Sequence, residues 1–308
     1  MNRYAIAIHG GAGTLPRTDM TPEKEIAYRH ELQQVLQVGV SVLKQGGQAL
    51  DAVEAAVVAL EDCPLFNAGR GAAFNHDKKN ELDAALMNGQ MLRAGAVAGI
   101  TGVKNPIRLA RLVMEESDHV LLSGSGAEEF ARVMNVPFET DTYFFTQERY
   151  DQLVQKQQRG GAPSESLGGF KPANYGTVGA VAWDSRGNLA AATSTGGLTN
   201  KRFGRVGDSP LIGAGTYAND VCAVSCTGDG EYFIRAVAAH DVACLVEYRG
   251  LTLQEACHQV IHQKLWQLGG EGGLIAVDNQ GNLALPFNSE GMYRAIKRWD
   301  SEELVAIY

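Results

Sequence analysis

The chain changes character abruptly near its middle, where an aperiodic stretch meets a strand directly. Residues 155–176 are rich in glycine and show neither helical nor strand periodicity. A loop this long inside a compact chain is usually functional or disordered. The strand that follows starts at once with Thr177 and continues to Trp183. The sequence therefore predicts a flexible linker that ends at Gly176, in a position where a chain can be cut to expose a new N-terminus.

Strands and helices alternate along the first half of the chain. A helix begins at Thr21-Pro22, an N-cap followed by proline at the first helical position, and the glycines at 46–47 end it. Asn88-Gly89 is a hairpin signal between two strands. The predicted elements of this half are strands at 4–8, 81–87, 91–100 and 119–123, and helices at 22–45, 50–60, 106–116 and from 126 onward.

The second half contains a short internal repeat. Residues 180–189 and 274–283 share one pattern, a strand, an Asp-x-x-Gly-Asn turn and a second strand. Between the two copies we predict a strand at 221–226 and helices at 231–248 and 253–265. Hairpins and helices in one chain have to pack in layers, so the fold class is α/β or α+β.

Composition narrows the range of partners. The 308 residues carry a net charge of −8 and no basic block, which makes nucleic acid and anionic membranes poor partners. No apolar run approaches the roughly 18 residues that a membrane span needs. The N-terminus lacks the apolar core of a signal peptide, and five cysteines, an odd number, favour reduced thiols. We therefore expect a cytoplasmic protein whose cysteines are all buried apolar residues.

Several common motifs are absent or incomplete. The chain has no phosphate-binding Gly-x-x-x-x-Gly-Lys loop and no Gly-x-Ser-x-Gly nucleophile elbow. The glycines at 124 and 126 lack the third glycine of a dinucleotide site, because Glu129 stands there. His258 and His262 have the spacing of a zinc pair, but Gln259 replaces the glutamate base of a zinc peptidase. We interpret this pair as a solvated helix face.

Two threonines are predicted to face each other at the open end of the first repeat hairpin. Pairing Trp183 with Leu189 across the turn sets a register in which Thr177 lies opposite Thr195. Directly opposed residues have Cβ atoms about 4.5–5.5 Å apart. The two hydroxyls are therefore in contact, either as a nucleophile with its partner or as a structural cross-strand pair.

Arg205 and Asp208 lie three residues apart in a loop that contains glycine. Their charges suit a zwitterion, since a guanidinium binds a carboxylate in a bidentate manner and a carboxylate binds an ammonium. A surface ion pair is the alternative interpretation.

The segment 225–231 ends a strand and opens a helix. Thr227 supplies a hydroxyl there, and the glycines that begin with Gly228 supply free N–H groups. Such donors at a helix N-terminus can stabilise a developing oxyanion. A glycine-rich turn with a capping threonine would have the same sequence.

Six ordered motifs resemble the plant-type L-asparaginases, also called isoaspartyl peptidases, within the N-terminal-nucleophile hydrolases. They are HGGAG (9–13), LFNAG (65–69), GTVGAV (176–181), STGG (194–197), RVGDSP (205–210) and TGDGE (227–231). The resemblance covers nearly the whole chain except the linker. It implies a single four-layer αββα domain over residues 1–308, made as an inactive precursor.

The resemblance also implies a maturation step and a role for each motif. Cleavage between Gly176 and Thr177 would give an α subunit, residues 1–176, and a β subunit, residues 177–308. Thr177 would be the nucleophile and, through its new α-amine, its own base, while glycine at 176 suits a strained scissile bond. The remaining implied roles are Thr195 holding the Thr177 hydroxyl, Arg205 and Asp208 binding the substrate, Thr227 and Gly228 forming the oxyanion hole, and Asn67 lying near the nucleophile.

The resemblance extends to a metal and to an assembly. No cofactor is implied for catalysis, but a structural sodium ion is implied in the loop from Leu60 to Arg70. Its ligands would be the backbone carbonyls of Leu60, Glu61, Cys63, Phe66, Ala68 and Arg70. Two α–β pairs usually assemble as a dimer of heterodimers, and the substrates are small molecules, L-asparagine and β-aspartyl dipeptides.

Three other functions remain open at this point. A glycosylasparaginase shares the fold but typically carries aspartate before the nucleophile, where this chain has Gly176. A threonine endopeptidase is less suited to the Arg205–Asp208 pair, which fits a free amino-acid head. A non-enzymatic binding protein would stay uncleaved. The sequence does not decide between asparagine and β-aspartyl dipeptides.

Overall fold

A computed structural model of the chain describes residues 2–13, 18, 20–158 and 176–308. Within these ranges the strands are β1 (Ala5–Gly13), β2 (Leu82–Asn88), β3 (Arg93–Ile100), β4 (Leu121–Ser123), β5 (Val178–Trp183), β6 (Leu189–Thr195), β7 (Thr216–Ala218), β8 (Cys222–Gly228), β9 (Gly272–Asp278), β10 (Leu283–Ala284), β11 (Gly291–Arg298) and β12 (Leu304–Ala306). The helices are α1 (Pro22–Lys44), α2 (Ala49–Asp62), α3 (Pro106–Glu116), α4 (Gly124–Val133), α5 (Asp141–Phe144), α6 (Gln147–Gln158), α7 (Gly230–Ala236), α8 (Ala238–Arg249), α9 (Leu253–His258) and α10 (Trp266–Leu268). A π-helical segment, Gln259–Leu265, joins the last two.

The strands form two sheets. The larger sheet has the order β12-β11-β1-β5-β6-β2-β3-β4, and the smaller has the order β10-β9-β8-β7. The β3–β4 pair is parallel, while the central pairs of β5 with β1 and with β6 are antiparallel. The two halves of the chain therefore meet in the middle of the larger sheet, where β5 lies between β1 and β6.

The layers confirm the predicted αββα sandwich. Helices α1, α2 and α3 pack on the outer face of the larger sheet, and α8 and α9 pack on the outer face of the smaller one. The inner faces of the two sheets pack on each other through a third hydrophobic cluster. Its members are mostly small, including Ala7, Val181, Ala191 and Ala223, which lets the sheets approach closely.

The hairpin register predicted from the first repeat is confirmed. Trp183 pairs with Leu189, and the ladder continues to Val178 opposite Ser194. The second copy has the equivalent pairing of Val277 with Leu283. Both hairpins therefore form in the way that the Asp-x-x-Gly-Asn pattern indicates.

An aspartate side chain closes each of these turns. Oδ1 of Asp184 accepts hydrogen bonds from the backbone N–H groups of Arg186 (2.9 Å) and Asn188 (3.0 Å), and Oδ1 of Asp278 does the same in the second copy. Oδ2 of Asp184 also accepts from the N–H of Ala49 at 3.0 Å. The first turn thus caps the N-terminus of α2, whose N-cap residue makes no side-chain bond of its own.

Three predicted boundaries were clearly wrong. The first strand was predicted to end at residue 8, but β1 continues through the glycines to Gly13. The linker was predicted to begin at residue 155, but α6 continues to Gln158; residues 159–175 lie outside the described residues. The single helix predicted at 231–248 is broken at Val237, which has a φ of +50°. The N–H groups of Ala239 and His240 donate there to the carbonyls of Ala214 and Gly213, which offsets the strain of the break.

The cysteine prediction was mostly correct. All five cysteines are free, and four are buried, but Cys244 on α8 is partly exposed. Burial raises the pKa of the Cys63 and Cys222 thiols, which makes them poor nucleophiles. In the described part of the chain, no helix combines the length and the hydropathy that crossing a membrane requires.

The two repeat turns supply a matched stability test. Replacing Asp184 with alanine removes the acceptor for the turn and for the first N–H of α2, so we expect a loss of about 2–4 kcal/mol in the free energy of unfolding. Asp278→Ala removes only the turn contacts and should cost about 1 kcal/mol less. Urea denaturation of the two variants measures this difference, and equal losses would contradict the capping role of Asp184.

Candidate active site

The hydroxyls of Thr177 and Thr195 meet at the open end of the β5–β6 hairpin. Thr177 precedes the first residue of β5, and Thr195 is the last residue of β6. Their Oγ1 atoms are 3.2 Å apart, and both side chains are buried. The structure therefore brings together the pair that the register predicted.

The carbonyl oxygen of Gly176 is held by two donors. The Nδ2 atom of Asn67 donates to it at 2.7 Å, and the hydroxyl of Thr195 donates at 3.1 Å. Asn67 is fixed in turn, because its Oδ1 accepts from the N–H of Ala73 at 2.7 Å and its Nδ2 also donates to the carbonyl of Gly197. The two donors polarise the carbonyl beside the Thr177 hydroxyl, as an oxyanion hole does.

Glycine is required at positions 11 and 176 because the backbones are so close. A Cβ on Gly11 would lie 2.9 Å from the Cα of Gly176, and Gly11 itself has a φ of +114°. A Cβ on Gly176 would lie 2.9 Å from the Cβ of Asn67. Lack of room therefore explains glycine at this position. The φ of Gly176 depends on residue 175, which lies outside the described residues, so the strained backbone that we expected stays a prediction.

One small cavity joins most of the predicted site. Its lining residues include Gly176, Thr177, Thr195, Arg205, Asp208 and Gly228. These residues come from four parts of the chain: the segment before β5, the end of β6, the loop of residues 205–208 and the end of β8. Leu198 also lines the cavity and was not predicted; its position directly after the Gly196-Gly197 pair was the available signal.

Arg205 has a partner that the sequence analysis did not assign. Its Nε and one terminal nitrogen donate to the two carboxylate oxygens of Glu231, each at 2.9 Å. Glu231 is the second residue of α7 and the last residue of the TGDGE motif. A bidentate pair of this kind fixes the guanidinium plane and leaves its other edge for a ligand.

Asp208 is fully buried and lacks a full set of partners. Among the described residues, its Oδ2 has no hydrogen-bond partner. Burial raises the pKa of this carboxyl to about 7, although the nearby Arg205 opposes the shift. A buried carboxylate with an open acceptor is suited to receive an ammonium group.

Thr227 and Gly228 are the last two residues of β8. Gly228 lines the cavity, but Thr227, which is fully buried, and Asn67 do not. The Thr227 hydroxyl accepts from the N–H of Ala12 at 3.1 Å, which leaves its own hydrogen to donate. Gly228 has a φ of +145°, and a Cβ there would lie 2.3 Å from the carbonyl oxygen of Glu271. Position 228 therefore admits only glycine, with its backbone exposed to the cavity.

The loop proposed to hold sodium folds tightly after α2. A Cβ on Gly69 would lie 2.5 Å from the carbonyl oxygen of Glu61, and one on Gly71 would lie 2.1 Å from that of Phe66. The guanidinium of Arg149 donates to the carbonyls of Leu65 (3.5 Å) in this loop and of Gly71 (2.9 Å) just after it, and neither is one of the six predicted oxygens. Three of the six predicted oxygens, on Leu60, Phe66 and Ala68, already accept a backbone N–H each. A carbonyl oxygen has a second lone pair, so this set can still bind a hard cation.

The αββα layers, with a threonine that follows glycine at the head of an inner strand, define an N-terminal-nucleophile hydrolase. A family model described as Asparaginase matches residues 2–307, and the chain belongs to this family. The six motifs of the sequence had indicated the same family.

Curated proteins from distant organisms match along nearly their full length. The isoaspartyl peptidase of Escherichia coli (strain K12) is 53% identical over 298 residues, which cover 96% of this chain and 93% of that protein. The plant-type L-asparaginase of Pyrococcus abyssi is 43% identical over 300 residues, 96% of each chain. The isoaspartyl peptidase/L-asparaginase of Mus musculus is 41% identical over 294 residues, 95% of this chain and 87% of that protein.

The raised pKa of Asp208 predicts a pH-dependent cost to stability. In the unfolded chain this carboxyl ionises near pH 3.8, whereas in the folded chain it ionises near pH 7. Between these values the folded state holds a proton that the unfolded state has lost, so the stability contributed by Asp208 falls as the pH rises through this window. Asp208→Asn cannot ionise and should therefore be more stable than the parent at pH 8, but not at pH 4.5.

Urea denaturation of parent and variant at both pH values tests this expectation. The difference in the free energy of unfolding should grow between pH 4.5 and pH 8. A difference that is the same at both values would show that Asp208 ionises normally in the folded protein.

Proposed function

We propose that this chain is an autoproteolytically activated threonine hydrolase. It cleaves the β-amide of L-asparagine, giving L-aspartate and ammonia, and the isopeptide bond of β-aspartyl dipeptides. The observation that carries the proposal is the contact of 3.2 Å between the Thr177 and Thr195 hydroxyls, in the cavity lined by Arg205 and Asp208. Relatives at 41–54% identity that are named isoaspartyl peptidase or L-asparaginase support it.

Activation is an intramolecular attack. The Thr177 hydroxyl oxygen attacks the Gly176 carbonyl carbon; a C–O bond forms, the C–N bond breaks, and the proton that the hydroxyl loses passes to the Thr177 nitrogen, which becomes a free amine. Negative charge develops on the Gly176 oxygen, where Asn67 and Thr195 already donate. Water then hydrolyses the ester, which releases an α subunit of residues 1–176 and a β subunit of residues 177–308.

The new α-amine supplies the base for turnover. An α-amino group has a pKa near 7.7–8.0, so it can accept the proton of the Thr177 hydroxyl near neutral pH. The oxygen attacks the side-chain carbonyl of the substrate, and the amine that leaves takes up the proton. Water hydrolyses the aspartyl ester and restores the threonine. The Thr227 hydroxyl and the Gly228 N–H donate to the oxyanion that forms when the substrate is attacked and again when the ester is hydrolysed.

Arg205 and Asp208 select the substrate by its head group. The free edge of the guanidinium binds the α-carboxylate, and the unpartnered Asp208 oxygen binds the α-ammonium. With these groups fixed, the carbonyl that reaches Thr177 is the β-carbonyl, one methylene from the α-carbon. The ammonium also stabilises the ionised form of Asp208, which offsets the cost of its burial.

The proposal includes a metal, an assembly and a location. The carbonyls of the loop between Leu60 and Arg70 would hold a sodium ion that stiffens this loop without taking part in catalysis. Two α–β pairs would form a dimer of heterodimers, as the family resemblance implies. The five free cysteines support a cytoplasmic location.

The structure disfavours the glycosylasparaginase alternative at one position. Those enzymes typically carry aspartate before the nucleophile, and here a Cβ at position 176 would lie 2.9 Å from the Cβ of Asn67. A larger side chain at that position would displace Asn67, the donor closest to the scissile carbonyl.

Linkage specificity tests the proposed function. We expect the mature enzyme to cleave β-Asp-Leu, and to cleave α-Asp-Leu with a kcat/KM about thirtyfold lower, since the guanidinium edge that Glu231 leaves open then lacks a carboxylate and a hydrogen bond to a charged group contributes about 2 kcal/mol. The α-carboxyl of α-Asp-Leu lies in its peptide bond and offers Arg205 no free carboxylate. Glutamine, one methylene longer than asparagine, should also react poorly. Equal rates on the two dipeptides would refute the assigned roles of Arg205 and Asp208.

Glu231→Ala tests whether the carboxylate positions Arg205. Without its bidentate partner the guanidinium loses a fixed orientation, so KM for L-asparagine and β-Asp-Leu should rise about threefold to tenfold. The value of kcat should change less, because Glu231 contacts Arg205 and is not among the residues that line the cavity around Thr177. Glu231→Gln keeps one acceptor and should lie between alanine and the parent. A KM that falls in Glu231→Ala would show that the carboxylate competes with the substrate instead.

A further inference from the structure

A chain of buried polar side chains crosses the interface between the two sheets. Nε2 of His9 lies 2.9 Å from Oγ of Ser225, which lies 2.7 Å from Oγ1 of Thr193. Oγ1 of Thr193 lies 2.6 Å from that of Thr216, whose hydroxyl also donates to the carbonyl of Ser209 at 3.0 Å. All four of these side chains are fully buried. We call His9, Ser225, Thr193 and Thr216 the buried polar chain.

Gly179 leaves the space between the two sheets that the buried polar chain occupies. Gly179 of β5 lies between His9 of β1 and Thr193 of β6 in the larger sheet. A Cβ on Gly179 would lie 2.0 Å from Oγ of Ser225 and 2.4 Å from Nε2 of His9. Ser225 of the facing sheet and His9 of the neighbouring strand β1 thus fill the space that Gly179 leaves open.

The buried polar chain lies one step deeper than the catalytic threonines on the same strands. Side chains two residues apart in a strand point to the same face. Gly179 is two residues from Thr177, and Thr193 is two residues from Thr195. Ser225 has the same relation to Thr227 on β8. The residues two positions from Thr177, Thr195 and Thr227 therefore lie in the buried polar chain or, for Gly179, directly against it.

The Thr216 end of the buried polar chain contacts the loop that carries Asp208. Thr216 lies on β7, and its hydroxyl contacts the backbone of Ser209, the residue after Asp208. Gly215, beside Thr216, packs against the same loop: a Cβ on it would lie 2.5 Å from the carbonyl oxygen of Asp208. The contacts thus run without interruption from the nucleophile strand to the loop that carries Asp208.

Apolar side chains would hold the two sheets together as well as hydroxyls do. Stability therefore does not explain why the residues of the buried polar chain are polar. Deeper in the same interface the positions are alanine and valine, as at Ala7, Val181 and Ala191. Hydrogen bonds differ from apolar contacts in fixing distance and direction, and a catalytic group has to be held to within a fraction of an ångström. The polar side chains occur next to Thr177, Thr195 and Thr227, where the positions of these threonines have to be fixed.

We propose that Thr193, Ser225, His9 and Thr216 are positioning residues that set the spacing of the catalytic threonines and of the Asp208 loop. This inference rests on the proposed hydrolase function. Thr193 and Ser225 act on the strands that carry Thr195 and Thr227, and so on kcat. Thr216 acts on the Asp208 loop, and so on KM.

Steady-state kinetics of two isosteric variants on β-Asp-Leu test the inference. Rates are normalised to the amount of free N-terminal Thr177, so that slow maturation is not counted as slow turnover. Thr193→Val removes a hydroxyl and keeps the volume; we expect kcat to fall about tenfold to a hundredfold with KM nearly unchanged. Thr216→Val should raise KM and leave kcat nearly unchanged. Thr193→Ser restores the hydroxyl and should recover most of kcat.

A packing variant in the same interface serves as the control. Val181→Ala shortens a side chain on the inner face of β5 and should lower the melting temperature without changing kcat or KM. If Thr193→Val likewise lowers the melting temperature and keeps the parental kcat, the buried polar chain is only structural and the inference is wrong. If Thr193→Val does not fold, a parental KM in Thr216→Val overturns the inference independently. A parent enzyme without activity on β-Asp-Leu would instead refute the proposed function.

Discussion

The close approach of three backbone segments around the Gly176–Thr177 bond governs the architecture of the site. Gly11 packs on this bond from β1, and Asn67 packs on it from the loop after α2. The strand β5 that follows Thr177 is then held between β1 and β6, which brings Thr195 to the Thr177 hydroxyl. A larger side chain at either glycine would move the Gly176 carbonyl away from its donors. The four-layer fold thus serves to hold one peptide bond against two hydrogen-bond donors.

The two charged groups of the site are each fixed on one side and open to a ligand on the other. Arg205 is oriented by Glu231 on one edge and is open on the other. Asp208 is buried, one of its oxygens has no hydrogen-bond partner in the described part of the chain, and burial raises its pKa to about 7. Arg205 relieves part of the cost of burying this carboxylate, and a cationic ligand would relieve more of it. In the proposed function, the substrate ammonium is that ligand.

Local patterns in the sequence predicted the parts of the site that depend on neighbouring residues. The hairpin register, and with it the opposition of two threonines, follows from a turn motif of five residues. Contacts between distant segments were not predictable in this way. The break at Val237 depends on the carbonyl of Gly213 in another loop. The contact between Glu231 and Arg205 depends on where α7 lies relative to the loop that carries Arg205. Gly176 was interpreted from the sequence as suited to a strained bond, whereas its crowding by Asn67 could not be predicted.

Mass spectrometry of the purified protein under denaturing conditions tests the central claim most directly. The account predicts two polypeptides, residues 1–176 and 177–308, the second with a free threonine at its N-terminus. It also predicts that Thr177→Ala yields one polypeptide of the full 308 residues, because the same hydroxyl is the nucleophile of cleavage. A parent protein that remains a single chain while it hydrolyses L-asparagine would contradict the account, as would cleavage of Thr177→Ala at the same bond.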